Sequence, residues 1–200
     1  MSRQVFERYL RSHEERRLLA CVAKYGDPLA RRDHAWMRLM RHTGLRVGSL
    51  AALTVEDAQE ALRAHRFRVR AEAAKGGRGY QVPLNRKAEA ALRDLLRIRR
   101  ELGHPQTPEA PLVMSRNHRG MSIRSYQARM RMWCARADLG VQASPHWFRH
   151  TLAKRIIERS TARDPRAIVQ HALGHTSIVS TAVYTWPDRD DIERAMEEAS

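Results

Sequence analysis

Cysteine is scarce in this 200-residue chain: Cys21 and Cys134 are the only two. They stand far apart, and neither has a His at a metal-ligand interval. A disulfide framework and a structural zinc are therefore excluded, and both thiols are expected to be reduced. Long apolar runs are also missing. No stretch of ~18 apolar residues occurs, and Arg3, Glu7 and Arg8 interrupt the first residues, so neither a membrane span nor a secretory signal is expected. The chain is expected in the cytoplasm. No Gly-rich loop followed by Lys-Ser or Lys-Thr is present to cradle a nucleotide. Nothing reads as the paired carboxylates of a two-metal nuclease.

Negative charge is in short supply as well. Against 37 Lys and Arg there are 22 Asp and Glu, a formal net charge of +15 with a pI of about 11.1. Only four of the basic residues are lysines: Lys24, Lys75, Lys87 and Lys154. Residues 1–100 carry 23 basic and 11 acidic side chains, residues 101–200 carry 14 and 11, and residues 185–200 carry two and six. A basic body with an acidic end suits a body that grips phosphates and a tail that does something else. With 42% hydrophobic residues spread along its length, the chain is no disordered basic tail. Its length suits one large domain.

The pattern is mainly helical with one small antiparallel sheet. Ser12-His13-Glu14-Glu15 predicts a capping box opening a helix that ends near Gly26. Asp27-Pro28 then breaks the chain, and Ala35, Trp36, Leu39 and Met40 mark a second helix ended by Gly44. A short helix resumes with Arg46 in its first turn. Over 66–72 the period changes to two, with Phe67, Val69 and Ala71 on one face and Arg66, Arg68 and Arg70 on the other. Tyr80 to Leu84 returns as the partner strand, and the glycines at 76, 77 and 79 place Lys75 at the hairpin tip. Asn85 caps a helix striped by Ala88, Ala91, Leu92, Leu95 and Leu96. A Pro-rich connector follows, with a possible third strand at Leu112–Met114. Further helices are expected from Ser122, from Pro145 behind Ser144 as cap, and from Asp164-Pro165 to Gly174. Ser177 is a candidate cap for a short helix at or near Tyr184. The segment 188–200 is amphipathic and acidic. Trp36, Trp133, Trp147 and Phe148 are read as core.

His146 and Arg149, three apart at a helix N-terminus, project from one face where unpaired backbone N–H groups also point outward, a natural phosphate site. Arg46, just after Gly44, offers a second guanidinium from another helix start. Alone, each reads more readily as a solvated surface charge or an N-cap histidine. Arg66, Arg68, Arg70 and Arg78 read as DNA-backbone contacts or as a solvated strand face, and His150 as a scaffold histidine.

Together, five stretches in order carry a resemblance. They are His42-Thr43-Gly44-Leu45-Arg46-Val47-Gly48-Ser49-Leu50, the hairpin around Lys75 with Val82-Pro83-Leu84, Pro145-His146-Trp147-Phe148-Arg149-His150-Thr151, Leu173-Gly174-His175, and Tyr184 nine residues on. From about residue 10 to 186 the chain resembles the tyrosine recombinases, or phage integrases. The resemblance implies a catalytic domain over 1–187 and a site-specific recombinase that cuts DNA through a 3′-phosphotyrosine. Tyr184 matches the nucleophile, Arg46 and Arg149 the arginines on the non-bridging oxygens, and His146 the proposed general base. Lys75 matches the lysine that protonates the leaving 5′-oxygen, and His175 the last phosphate donor. The resemblance implies no metal, no ATP and no other cofactor. It implies as partners double-stranded DNA with specific sites and a tetramer on that DNA, with the tail 188–200 docking on a neighbour. A nucleoid-associated location goes with it.

Two departures stand out. Ser49 occupies the place where the family carries Glu or Asp, and an N-terminal core-binding domain is absent from the 200 residues. The chain is accordingly read as a fragment of a longer integrase or as a small stand-alone member. A non-cleaving DNA-binding regulator and a type IB topoisomerase are the alternatives.

Overall fold

Five helices in this chain start on a short polar side chain that takes up one of the first free backbone N–H groups: Asp27, Thr54, Asn85, Ser122 and Asp164. The computed structural model describes residues 8–73, 79–174, 181, 186–187 and 189–199. Helix α1 spans Ser12–Ala23, but its cap is Arg11, whose N–H donates to Glu14 Oε2 at 2.8 Å. The expected cap at Ser12 thus falls one residue late. Glu15, freed from capping, turns inward, where Arg41 and Arg155 pair with it.

Helix α2 (Pro28–Thr43) starts on Asp27, which accepts from Ala30 N at 3.0 Å, and ends on Gly44 in the left-handed region (φ 63°). It is the central helix, packed against α1, α5 (Arg86–Glu101) and α7 (His146–Arg159). Arg46 caps the short α3 (Val47–Ala51). Helix α4 (Val55–Ala64) is absent from the sequence expectation. Its buried stripe is only Val55, Ala58 and Ala61, a weak apolar signal, and it is fixed by a reciprocal box between Thr54 and Asp57.

Strands β1 (Arg66–Val69) and β2 (Tyr80–Pro83) pair antiparallel, with Phe67 opposite Val82 and Val69 opposite Tyr80. Phe67 and Val69 are buried and Arg66 and Arg68 exposed, as the alternation predicts. The strand stops at Val69 rather than 72. Ala71–Ala73 form a 3-10 turn, in keeping with the poor strand preference of Ala and Glu.

Asn85 caps α5, accepting from Ala88 N at 2.9 Å. Arg99 near its end donates to the carbonyls of Pro105, Pro111 and Leu112 and pins the Pro-rich connector. Leu112–Met114 accordingly forms no strand. Arg99 takes the Leu112 carbonyl a ladder would use, and isolated bridges at Thr54–Pro111 and Met114–Gly120 remain. Helix α6 (Ile123–Arg136) opens on Ser122 as expected. It is locked to α2 by the fully buried Asp33, which accepts from the indole N–H of Trp36 (3.1 Å) and of Trp133 (2.8 Å) and from Arg32 and Arg129.

Helix α7 begins after Pro145, and Ser144 serves through its carbonyl, to Trp147 N, rather than its side chain. Helix α8 (Pro165–Leu173) runs from Asp164 to Gly174 (φ 61°), as expected, and α9 (Arg189–Glu198) carries the exposed Ile192 and Met196. The stretch around Ser177 lies outside the described residues. One large apolar core joins α1–α7 and the hairpin. A small second cluster, Ala153, Val169 and Leu173 with Leu152, Ile156 and Ile157, fastens α8 to α7. Trp36, Trp133, Trp147 and Phe148 all sit in the large core.

Candidate active site

Two left-handed glycines organise the site. A Cβ on Gly44 would lie 2.4 Å from Leu173 Cδ2, and one on Gly174 would lie 2.3 Å from Tyr80 Cγ. Glycine is required there both for its φ and for its missing side chain. Tyr80 in β2 therefore rests directly on the end of α8.

Arg149 ties these turns together. It is 2% exposed, and its Nη1 donates to Gly44 O at 2.7 Å while Nη2 donates to Leu173 O at 2.6 Å. A guanidinium with five donors in a rigid fork suits two carbonyls at the ends of two helices, where the peptide dipoles leave partial negative charge. Arg46 follows Gly44 by two residues. The chain hangs Arg46 on the same turn that Arg149 grips. Arg46 is half-buried, and its Nη1 is buried without an acceptor among the described residues. An unpaired buried donor costs about 1–3 kcal/mol, which an anionic oxygen would recover.

His146 opens α7 one turn before Arg149. Its ring lies 5.8 Å from that of His150. Burial first, then the charges of His146, Arg149 and Arg8, pushes His150 down to about 4, so it is neutral near pH 7. That agrees with a scaffold role. Thr151 fixes the next turn, donating to Trp147 O at 2.7 Å and accepting from Leu10 N at 2.8 Å. Ser49, the departure in the motif, is buried on α3.

Arg46, His146 and Arg149 are thus gathered at the starts of α3 and α7. Lys75, His175, Tyr184 and Arg78 lie outside the described residues; Gly174 directly precedes His175. Of the other arginines, Arg66 donates to Gln81, Arg70 pairs with Asp57 at 3.1 Å, and Arg68 is exposed on the outer strand face. Among the described residues no cluster of His, Cys, Asp and Glu could hold a metal ion, and no helix is long and apolar enough to cross a membrane. The reading of the sequence passed over Tyr80 and the anchoring role of Arg149. Two glycines placed just before motif residues were the available signal.

A mainly helical domain with a two-stranded hairpin and two arginines on one glycine turn defines a scaffold suited to a tetrahedral anion. Residues 8–190 match the phage integrase family, and the chain belongs to it. It is 36% identical over 184 residues to tyrosine recombinase XerC of Neisseria gonorrhoeae (strain ATCC 700825 / FA 1090), covering 92% of this chain and 56% of that protein. It is 37% identical over 175 residues to the XerC of Chromohalobacter salexigens (87% and 54%). The chain spans about half the length of these curated relatives. The fold is shared with XerA recombinase (TM-score 0.74, 21% identity, 96% of this chain and 65% of that one). It is also shared with XerH recombinase bound to its difH substrate (0.72, 20%, 98% and 55%). A lambda integrase dimer bound to a core site matches likewise (0.66, 20%, 95% and 62%).

Proposed function

We propose that this chain is the catalytic part of a site-specific DNA recombinase that cuts and rejoins strands through Tyr184. The reading is carried by Arg46 and Arg149 held on the Gly44 turn, with Arg46 Nη1 buried and lacking an acceptor. In this scheme the Tyr184 oxygen attacks a backbone phosphorus. A Tyr–O–P bond forms, the P–O5′ bond breaks, the phenol proton passes to His146, and Lys75 supplies the proton that leaves with the 5′-oxygen. Arg46, Arg149 and His175 balance the charge on the non-bridging oxygens, so the step uses neither a metal nor ATP. One phosphodiester replaces another, and reversal with a new 5′-hydroxyl rejoins the strand.

Arg66, Arg68, Arg70 and Arg78 are the proposed contacts to the DNA backbone, positioning the duplex without reading sequence. The acidic tail 188–200, whose helix α9 exposes Ile192 and Met196, docks on a second copy in an assembly on DNA. A nick-containing suicide substrate made from the repeats flanking the gene tests the reading. A covalent protein–DNA adduct that disappears in Tyr184→Phe is expected. No adduct on any flanking site would leave a non-cleaving DNA-binding protein, and an adduct on every sequence a topoisomerase-like enzyme.

A further inference from the structure

A second basic concavity of about 840 Å³ is walled by α1, the end of α2, the start of α5 and α7 from Leu152 to Arg159. None of Arg46, His146 and Arg149 lines it. Arg155 and Arg159 lie six and ten residues beyond Arg149 on α7, about 9 and 15 Å along the axis.

Its charge is lopsided. Arg16, Arg41, Arg86, Lys87, Arg155 and Arg159 line it against one carboxylate, Glu15. Oε2 of Glu15 is already committed, meeting Arg41 Nη2 at 3.0 Å and Arg155 Nη2 at 2.6 Å, while its Oε1 is buried without a partner among the described residues. Arg86, Lys87 and Arg159 have no ion pair among the described residues, whereas Arg31, Arg38, Arg93 and Arg97 elsewhere each have at least one. Arg41 Nε is buried without an acceptor. The first turn of the 16-residue α5 opens on the same wall and adds the positive end of a helix dipole. His42 reports the resulting field: burial, then Arg41, Lys87, Arg155 and Arg38, push it down to about 4.

We propose that this pocket is a second phosphate-binding site, distinct from the scissile-phosphate site, which takes a phosphate or polyphosphate group. The volume suits a ligand of nucleotide size. Arginine forks and a lysine are the usual partners of phosphate oxygens. The acidic tail is the other anion at hand, but α9 offers an apolar edge at Ile192 and Met196, and among the described residues Leu152 is the only aliphatic side chain on the pocket wall. The phosphate comes either from the backbone of the bound duplex or from a free polyphosphate.

The test follows the His42 ring by NMR in the full chain while inorganic pyrophosphate is titrated in at constant ionic strength. A dianion beside the ring raises its pKa by about one pH unit or more, saturably. The double variant Lys87→Glu, Arg159→Glu, both exposed positions, abolishes that rise without lowering the melting temperature. A short duplex that competes with pyrophosphate at His42 identifies the DNA backbone as the source. Simultaneous binding of duplex and pyrophosphate identifies a free polyphosphate. The proposal is overturned if neither probe moves His42 saturably, or if a peptide of residues 186–200 does so and pyrophosphate does not.

Discussion

Arg149 Nη1 donates to the Gly44 carbonyl at 2.7 Å, joining residues 105 apart in sequence. The residue that resembles a phosphate clamp is therefore also the clasp between the turn that launches Arg46 and, through Leu173 O, the turn that precedes His175. Arg149 is expected to carry both stability and chemistry, and Arg46 chemistry alone.

Replacing Arg149 by Met leaves two buried carbonyls without donors. At about 1–3 kcal/mol for each unsatisfied group, the loss should be about 2–6 kcal/mol, read from urea unfolding at pH 7.

Arg46→Met should do the opposite. It removes a buried donor that has no acceptor, so the unfolding midpoint should hold or rise. Adduct formation on the suicide substrate should fall at least about a hundredfold, as when a transition-state charge loses its donor. A drop in stability of the Arg149 size would contradict this assignment.

Gly174→Ala combines strain at φ 61° with a Cβ 2.3 Å from Tyr80 Cγ. Tyr80→Ala removes the clash but not the strain, so the pair should be strongly non-additive. In a double-mutant cycle Gly174→Ala should cost only about 1–2 kcal/mol in the Tyr80→Ala background.

His42 and His150 are both held near about 4, below the 6.5 of the unfolded chain. The unfolded chain then binds protons the folded one refuses. Their contribution is complete above about pH 6.5 and is lost as the pH falls towards about 4. Urea midpoints at about pH 7 and about pH 5 should differ, and the gap should narrow in His42→Gln and again in the double variant with His150→Gln.

Arg68 is exposed on the outer strand face with no partner among the described residues. Arg68→Ala should weaken binding to unrelated duplexes equally and lower the slope of log affinity against log salt by about 0.9, one phosphate contact. An unchanged slope would return Arg68 to a solvated strand face.

What was legible in the sequence follows rules of short range. Asn85, Ser122 and Asp164 open helices where they were expected to, and the alternation at 66–69 matches the buried and exposed faces of β1. Helix α4 was missed because small alanines make a faint stripe. The buried ties were invisible for another reason. Asp33 with Trp133, Glu15 with Arg155, and Arg149 with Gly44 are each chosen by partners about 100 or more residues away, and an isolated charge carries no mark of its partner. The motif order pointed to Arg46, His146 and Arg149, but it said nothing of Tyr80 against Gly174 or of the pocket around Arg155.

The placement of the tryptophans gives the molecule built-in optical reporters at separate depths. Trp36 and Trp133 donate to the same carboxylate, so their emission should change together when α2 parts from α6. Trp147 adjoins His146 in sequence on the helix that carries Arg149. Trp186, 59% exposed, stands ahead of α9. Fluorescence from the unlabelled protein can accordingly distinguish an event at the tail, which shifts Trp186 alone, from opening of the core, which shifts the other three.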